Sequence, residues 1–175
     1  MDKKEIRQMI RQRVSGISAQ MRKSSSESIA MLIGFEPQWG DASTVLLFSS
    51  LPDEIDCSPL IEDAISRGKR VVLPVVDDDD LRLVQYIPGK TVLGAFGIIE
   101  PDSTCPEVPA EEIDLAVIPA RAYSMLGVRL GRGKGYYDRL MPRLACPKWG
   151  ICYTCQLIPE LPQDEWDVPV DRVFF

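Results

Sequence analysis

Apolar residues recur at helical spacing near the start of the chain. Ile6, Met9, Ile10 and Val14 form one stripe, which predicts a helix from Lys3 to about Arg13, with Arg7, Arg11 and Arg13 on its other faces. A second helix is predicted from Ser18 to Ile33, stopped by Gly34. The pattern then shifts to short apolar runs of strand length. Thr44 to Phe48 is the first, followed by a loop, Asp53 to Ser58, that carries Glu54 and Asp56. Pro59 to Ser66 reads as a short helix, with proline in its first turn and Gly68 just past its end. Arg70–Val76 and Leu81–Tyr86 read as strands. The four carboxylates between them, Asp77 to Asp80, suit a solvated hairpin turn.

The second half alternates in the same way. Gly89 to Glu112, rich in proline, glycine and acids, reads as a long irregular connection, and loops of that length inside a domain are usually functional. Leu115 to Pro119 is a buried strand, Tyr136 to Leu144 a helix and Trp149 to Tyr153 a strand. Leu157 to Gln163 is a short helix or turn, and Val173 to Phe175 a final edge strand. Strands alternating with helices predict one α/β domain over residues 1–175, a sandwich around a mostly parallel sheet. Ligands in such sheets bind beyond the strands' carboxyl ends. The Glu54 loop and the loop after Leu115–Pro119 therefore land on the same edge.

Composition narrows the chemistry. The chain has 175 residues and no histidine, which excludes Ser-His-Asp and Cys-His catalysis and histidine metal sites. Its five cysteines show no secreted-scaffold spacing, and the Cys152-Tyr-Thr-Cys155 pair lacks two further ligands for zinc, so buried thiols are expected. No apolar run is long enough to span a bilayer, and the first residues are charged rather than signal-like, which predicts a cytoplasmic protein with no membrane partner. A net charge of −6 argues against nucleic-acid binding.

Positive charge is instead local. Gly131, Gly133 and Gly135 stand on alternate positions, and Arg129, Arg132, Lys134 and Arg139 are threaded among and around them. Glycines let successive N–H groups converge into an anion-binding nest, and four cations in eleven residues add charge at the same place. The spacing matches neither the G-x-x-x-x-G-K-[ST] phosphate loop nor the G-x-G-x-x-G dinucleotide fingerprint. The reading is a phosphate cradle, with Asp138 placed to hold a metal ion beside it. A cationic pocket on an acidic protein suits a small polyanion.

The block from Asp114 to Leu140, with its Gly-x-Arg-Leu-Gly-x-Gly-x-Gly-Tyr-Tyr-Asp core, resembles the 5-formyltetrahydrofolate cyclo-ligase family. Flanking pieces follow in order: Lys3-Lys4-Glu5-Ile6-Arg7, Ser49 to Ile55, Gly97 to Pro101, Gln156, and Asp167 to Asp171. The resemblance implies a three-layer α/β/α sandwich and an enzyme that uses ATP and Mg²⁺ to close 5-formyltetrahydrofolate to 5,10-methenyltetrahydrofolate, releasing ADP and phosphate. It implies that Lys3, Lys4, Arg7 and the run Arg129, Leu130, Gly131, Arg132, Gly133, Lys134, Gly135, Tyr136 and Tyr137 bind ATP. Arg7, Ser49, Glu54, Arg132, Gly133, Lys134, Gly135 and Tyr136 would face the folate, Arg132 and Lys134 would be catalytic, and Asp138 and Asp171 would hold Mg²⁺. The partners implied are two small molecules acting on a monomer. From the residues alone, Lys3, Lys4 and Arg7 read as a solvated helix face and Asp171 as a turn residue. One departure stands out. Where the family usually has Pro-Gly-x-Ala-Phe-Asp, this chain has Pro119-Ala-Arg-Ala-Tyr-Ser124, which removes a carboxylate expected near the metal and adds Arg121.

Overall fold

Helix α1 (Lys3–Ser15) starts at a reciprocal cap. The Asp2 carboxylate accepts from the N–H groups of Lys4 and Glu5 at 2.7 and 2.8 Å, and the Glu5 carboxylate accepts from Asp2 N–H at 2.8 Å. Its apolar stripe, Ile6, Ile10 and Val14, is buried as the spacing predicts. Ser18 caps α2 (Ala19–Gly34). A one-turn helix, α3 (Pro37–Asp41), was not legible in the sequence; it begins on a proline and buries Trp39. Helix α4 (Ser58–Ser66) closes the first half. The computed structural model describes the backbone of residues 1–175 and every side chain except that of Ala95.

The central sheet has six strands: β1 (Thr44–Leu46), β2 (Arg70–Asp77), β3 (Asp80–Gln85), β6 (Leu115–Ile118), β9 (Lys148–Ile151) and β10 (Arg172–Phe174). Their order is β10-β9-β6-β1-β2-β3, all parallel except β3. β3 is antiparallel because Asp78 and Asp79 make a tight hairpin, with Asp78 in the left-handed region at φ 52°. Successive side chains point to opposite faces. Val45, Leu47, Val71, Leu73, Leu115, Val117 and Trp149 pack under α1 to α4. Leu46, Val72, Ala116 and Ile118 pack on the other face, against Tyr123, Leu140, Met141 and Leu144. The sheet is thus covered on both faces, as the three-layer expectation required.

The long connection is not wholly irregular. It holds a two-stranded ribbon, β4 (Thr91–Leu93) and β5 (Ile99–Pro101), which packs against β2. A second ribbon, β7 (Ala122–Tyr123) with β8 (Arg129–Leu130), follows β6. The predicted helix Tyr136–Leu144 is shorter. α5 (Tyr136–Leu140) gives way to a 3₁₀ turn, Met141–Arg143, because Pro142 has no N–H to continue the ladder. Residues 157–163 form no helix; the turn lies earlier, at Thr154–Gln156. No helix is long and apolar enough to cross a membrane.

Candidate functional site

A cavity of about 360 Å³ opens beyond the carboxyl ends of β1 and β6, the edge to which the two loops were assigned. One wall is cationic: Arg11, Arg121, Arg129, Arg132 and Lys134. The opposite wall is largely apolar, built from Phe48, Pro74, Val76, Leu81, Phe96 and Ile98. Glu54, Glu100 and Asp138 supply carboxylates.

The glycine loop forms the cationic wall. Gly133 and Gly135 have φ of 103° and 72°, which an L side chain resists, and Gly135 leads straight into α5. Because α5 is a single turn, its dipole contributes little, and anion binding rests on the loop's N–H groups and cations. α1 reaches this loop from behind: Arg7 Nε donates to the Gly131 carbonyl at 2.8 Å. The β2–β3 hairpin clamps it from the other side. Tyr136 donates to the Asp78 carbonyl at 3.3 Å, Arg139 donates to the Asp79 carbonyl, and Arg143 pairs with Asp80 at 3.2 Å. The four-carboxylate run is the exposed hairpin turn that was expected, and α5 docks on its tip.

A chain of alternating charge fixes Arg132. Its Nε donates to Glu54 at 2.8 Å, and its terminal nitrogen pairs with Asp53. The other oxygen of Asp53 takes Arg121 at 2.5 Å, and Arg121 is buried. Burial pushes the Asp53 carboxyl up, but the Arg132 and Arg121 guanidiniums outweigh it and hold it at about 2. Glu54 also accepts from Leu51 N–H at 2.9 Å. Gln156 secures the far side of Arg121. Its amide donates to the carbonyls of Ala120 and Arg121 at 3.3 and 3.0 Å, and its oxygen accepts from Tyr153 N–H.

Among the residues expected at the site, Ser49, Glu54, Arg129, Gly131, Arg132, Lys134, Gly135, Tyr136, Tyr137 and Asp138 all line the cavity. Both tyrosines do so, each with a guanidinium over its ring, Arg139 on Tyr136 and Arg129 on Tyr137. Burial pushes the Tyr137 hydroxyl well above its ordinary value. Arg7 and Gly133 stand just behind the lining, with the Arg7 guanidinium 3.8 Å from where a Cβ on Gly133 would sit. Lys3 is held by Asp164 and Asp167 at 2.6 and 3.2 Å, Lys4 is exposed, and the Leu130 side chain is buried in the core.

Two expectations need correction. Asp171 does not meet Asp138. It leads β10 and exchanges two hydrogen bonds of 2.7 Å with Lys148, the first residue of β9, so it belongs to the amino edge of the sheet, opposite the cavity. Its position just before a parallel strand dictates this, and the spacing to Asp167 concealed it. Ser124 is likewise not a metal-side position. It is buried in the β7–β8 turn, where its hydroxyl accepts from the N–H groups of Leu126 and Val128 at 3.2 and 3.1 Å. Asp138 itself is paired with Arg129, and among the described residues no three carboxylate or thiol groups gather into a metal cage. Cys152 and Cys155 form no disulfide, and burial pushes the Cys152 thiol up to about 12.

Sequence reasoning gave no role to Arg11, Phe96 or Glu100, although Glu100 stands in the Gly97–Pro101 piece of the family resemblance. Arg11 was assigned to a helix face, and the other two lie in the stretch read as irregular. Phe96 carried a signal only in hindsight: it sits at φ 64°, rare for an aromatic residue, with its ring at the cavity.

A family model described as the 5-formyltetrahydrofolate cyclo-ligase family matches residues 1–175. The chain is similar to the 5-formyltetrahydrofolate cyclo-ligase of Escherichia coli (strain K12), 34% identical over 173 residues, covering 94% of this chain and 95% of that protein. It is also similar to the Mus musculus enzyme of the same name, 26% identical, covering 99% and 93%. Its structure resembles the 5,10-methenyltetrahydrofolate synthetase of Aquifex aeolicus, with a TM-score of 0.89 and 33% identity over 99% of this chain and 89% of that one. The corresponding protein from Mycoplasma pneumoniae superposes with a TM-score of 0.80 at 26% identity, covering 99% and 98%. With the family model spanning every residue, and a site that joins a cationic glycine loop to an apolar cavity, this chain belongs to the 5-formyltetrahydrofolate cyclo-ligase family.

Proposed function

We propose that this protein converts 5-formyltetrahydrofolate to 5,10-methenyltetrahydrofolate, consuming ATP with Mg²⁺ and releasing ADP and phosphate. The observation that carries this reading is the division of one cavity into a cationic glycine wall and an apolar wall. The first suits a triphosphate and the second a flat heterocycle.

The substrates supply their own nucleophiles, so the lack of histidine is no obstacle. The formyl oxygen on N5 attacks the γ-phosphorus and ADP leaves. N10 then attacks the activated formyl carbon, and the C–O bond breaks to release phosphate as N10 gives up its proton to the departing phosphate or to solvent. What the protein contributes is position and charge. Lys134, exposed at the cavity, and Arg132, held by Asp53 and Glu54, neutralise charge developing on the transferred phosphoryl oxygens. Gly131, Gly133 and Gly135 present N–H groups to the phosphates. Arg7 braces the loop through the Gly131 carbonyl, and Lys3 reaches a phosphate only by leaving Asp164 and Asp167. Tyr136 and Tyr137 wall the site.

Mg²⁺ is commonly held by one or two carboxylates plus substrate phosphates, and Asp138, beside the glycine loop and outside any cluster of three ligands among the described residues, fits that pattern better than a closed cage. Asp138 would hold it by exchanging Arg129 for the metal, whose charge would offset that of the substrate phosphates. A cytoplasmic monomer is part of the same reading, and the five free cysteines suit a reducing compartment.

The test is absorbance at the methenyltetrahydrofolate band after mixing protein, 5-formyltetrahydrofolate, Mg²⁺ and ATP, against a control without ATP. An ATP-dependent rise is expected; no rise at high protein concentration refutes the proposal.

A further inference from the structure

We propose that Glu100 is the carboxylate that reads the pterin, accepting its 2-amino and N3–H groups on two oxygens; this rests on the folate reading above. Glu100 lies mid-strand in β5, opposite Val92, and its side chain is buried at the cavity. Its place is fixed from the sheet, because the Ser49 hydroxyl donates to the carbonyl of the preceding Ile99 at 2.5 Å. Ser49 therefore acts on the ligand site by pinning the strand that carries Glu100 to the end of β1. The facing backbone is cut back to admit the carboxylate: a Cβ on Gly94 would lie 2.0 Å from a Glu100 oxygen.

Among the described residues, no N–H or O–H group donates to Glu100 and no cation pairs with it. Three arginines of the cavity are already matched, Arg121 to Asp53, Arg129 to Asp138, and Arg132 to Asp53 and Glu54. Glu54, a carboxylate expected to face the folate, is occupied by Arg132 and Leu51 N–H. Partial burial pushes the Glu100 carboxyl up, and its oxygens, which keep solvent contact at the cavity, are free to accept from a bound donor. The chemistry of the donor is specific. The pyrimidine edge of a pterin offers two adjacent N–H donors, which match two carboxylate oxygens. The corresponding edge of adenine offers one donor and one acceptor, and the acceptor would face a carboxylate oxygen. Glu100 thus sends the folate to the apolar wall and leaves the glycine loop to the nucleotide.

Calorimetric binding of 5-formyltetrahydrofolate without ATP, to wild type and Glu100→Gln, tests this. The amide presents a donor to a donor, so folate affinity is expected to fall on the order of 10–100-fold, with ATP affinity unchanged. The variant should melt no lower than wild type, because it removes a buried charge. Glu100→Asp, which keeps the charge, should recover part of the loss. A folate analogue lacking the 2-amino group should bind wild type less tightly than the natural compound and bind Glu100→Gln about equally. Unchanged folate affinity in Glu100→Gln, or a loss that merely tracks a fall in melting temperature, overturns the assignment. A wild type that neither binds nor turns over 5-formyltetrahydrofolate refutes the folate reading itself, a separate result.

Discussion

Asp53→Asn perturbs the one residue that joins Arg121 to Arg132. The carboxyl is held at about 2, against a usual 3.8, which corresponds to ~2.5 kcal/mol of differential interaction. The side chain is 35% exposed, so solvent screening reduces this to about 1 kcal/mol. A second contribution arises at Arg121, whose side chain is only 5% exposed and which pairs with Asp53 alone among the described carboxylates. A buried cation deprived of its partner adds a further ~1 kcal/mol, at the low end for such losses because the amide oxygen still accepts one bond. A total near 2 kcal/mol lowers the melting temperature by about 4–8 °C for a domain of this size. The sign with pH follows from the depressed value. The Asp53 contribution is complete above about pH 4 and is lost as pH falls through about 2. The gap between wild type and Asp53→Asn should therefore be full at pH 7 and narrow as pH falls below 4. Thermal unfolding of both proteins across that range is the assay. Equal melting temperatures at pH 7, or a gap that widens on acidification, would refute the reasoning.

Three other outcomes follow from the site. Lys134→Ala should lower kcat on the order of 10²–10³-fold with little change in stability, because the side chain is exposed and, in the proposed mechanism, acts on the phosphoryl group; near-normal turnover would remove it from the chemistry. Asp138→Asn should move the Mg²⁺ titration of activity to higher concentration, and an unchanged titration would place the metal elsewhere. Ser124→Asp should leave turnover within about twofold, since position 124 caps a turn rather than lining the cavity and a carboxylate accepts the same two N–H groups; a large gain in activity would contradict the placement of Ser124.

What the sequence made legible was whatever depended on local rules. The α1 stripe, the second helix from about Ser18, the apolar runs of β1 and β6 and the glycine loop are all written within ten or so residues of themselves. The shared edge of the Glu54 and glycine loops was also readable, because parallel topology fixes which end of a strand a following loop occupies. The same rule, applied to Asp171, would have placed it correctly at the amino edge, since it precedes its strand. Glu54 and Ser49 were recognised as site residues, but their partners, Arg132 and Ile99, lie 78 and 50 positions away, and no spacing reveals such pairings. The β4–β5 ribbon stayed hidden because three-residue strands among prolines and glycines carry no alternation long enough to detect.

The contacts of α1 set an order of events during synthesis. Arg7 closes on Gly131, 124 positions later, and Lys3 on Asp164, 161 positions later. Gly131 does not exist until three-quarters or so of the 175 residues have been made, and Asp164 and β10, which flanks β9, come later still. The long-range contacts of the amino-terminal helix therefore form late, after most of these residues have emerged. A cavity whose cationic wall is braced from α1 is therefore a late product of folding, complete only when residues far apart in the sequence have met.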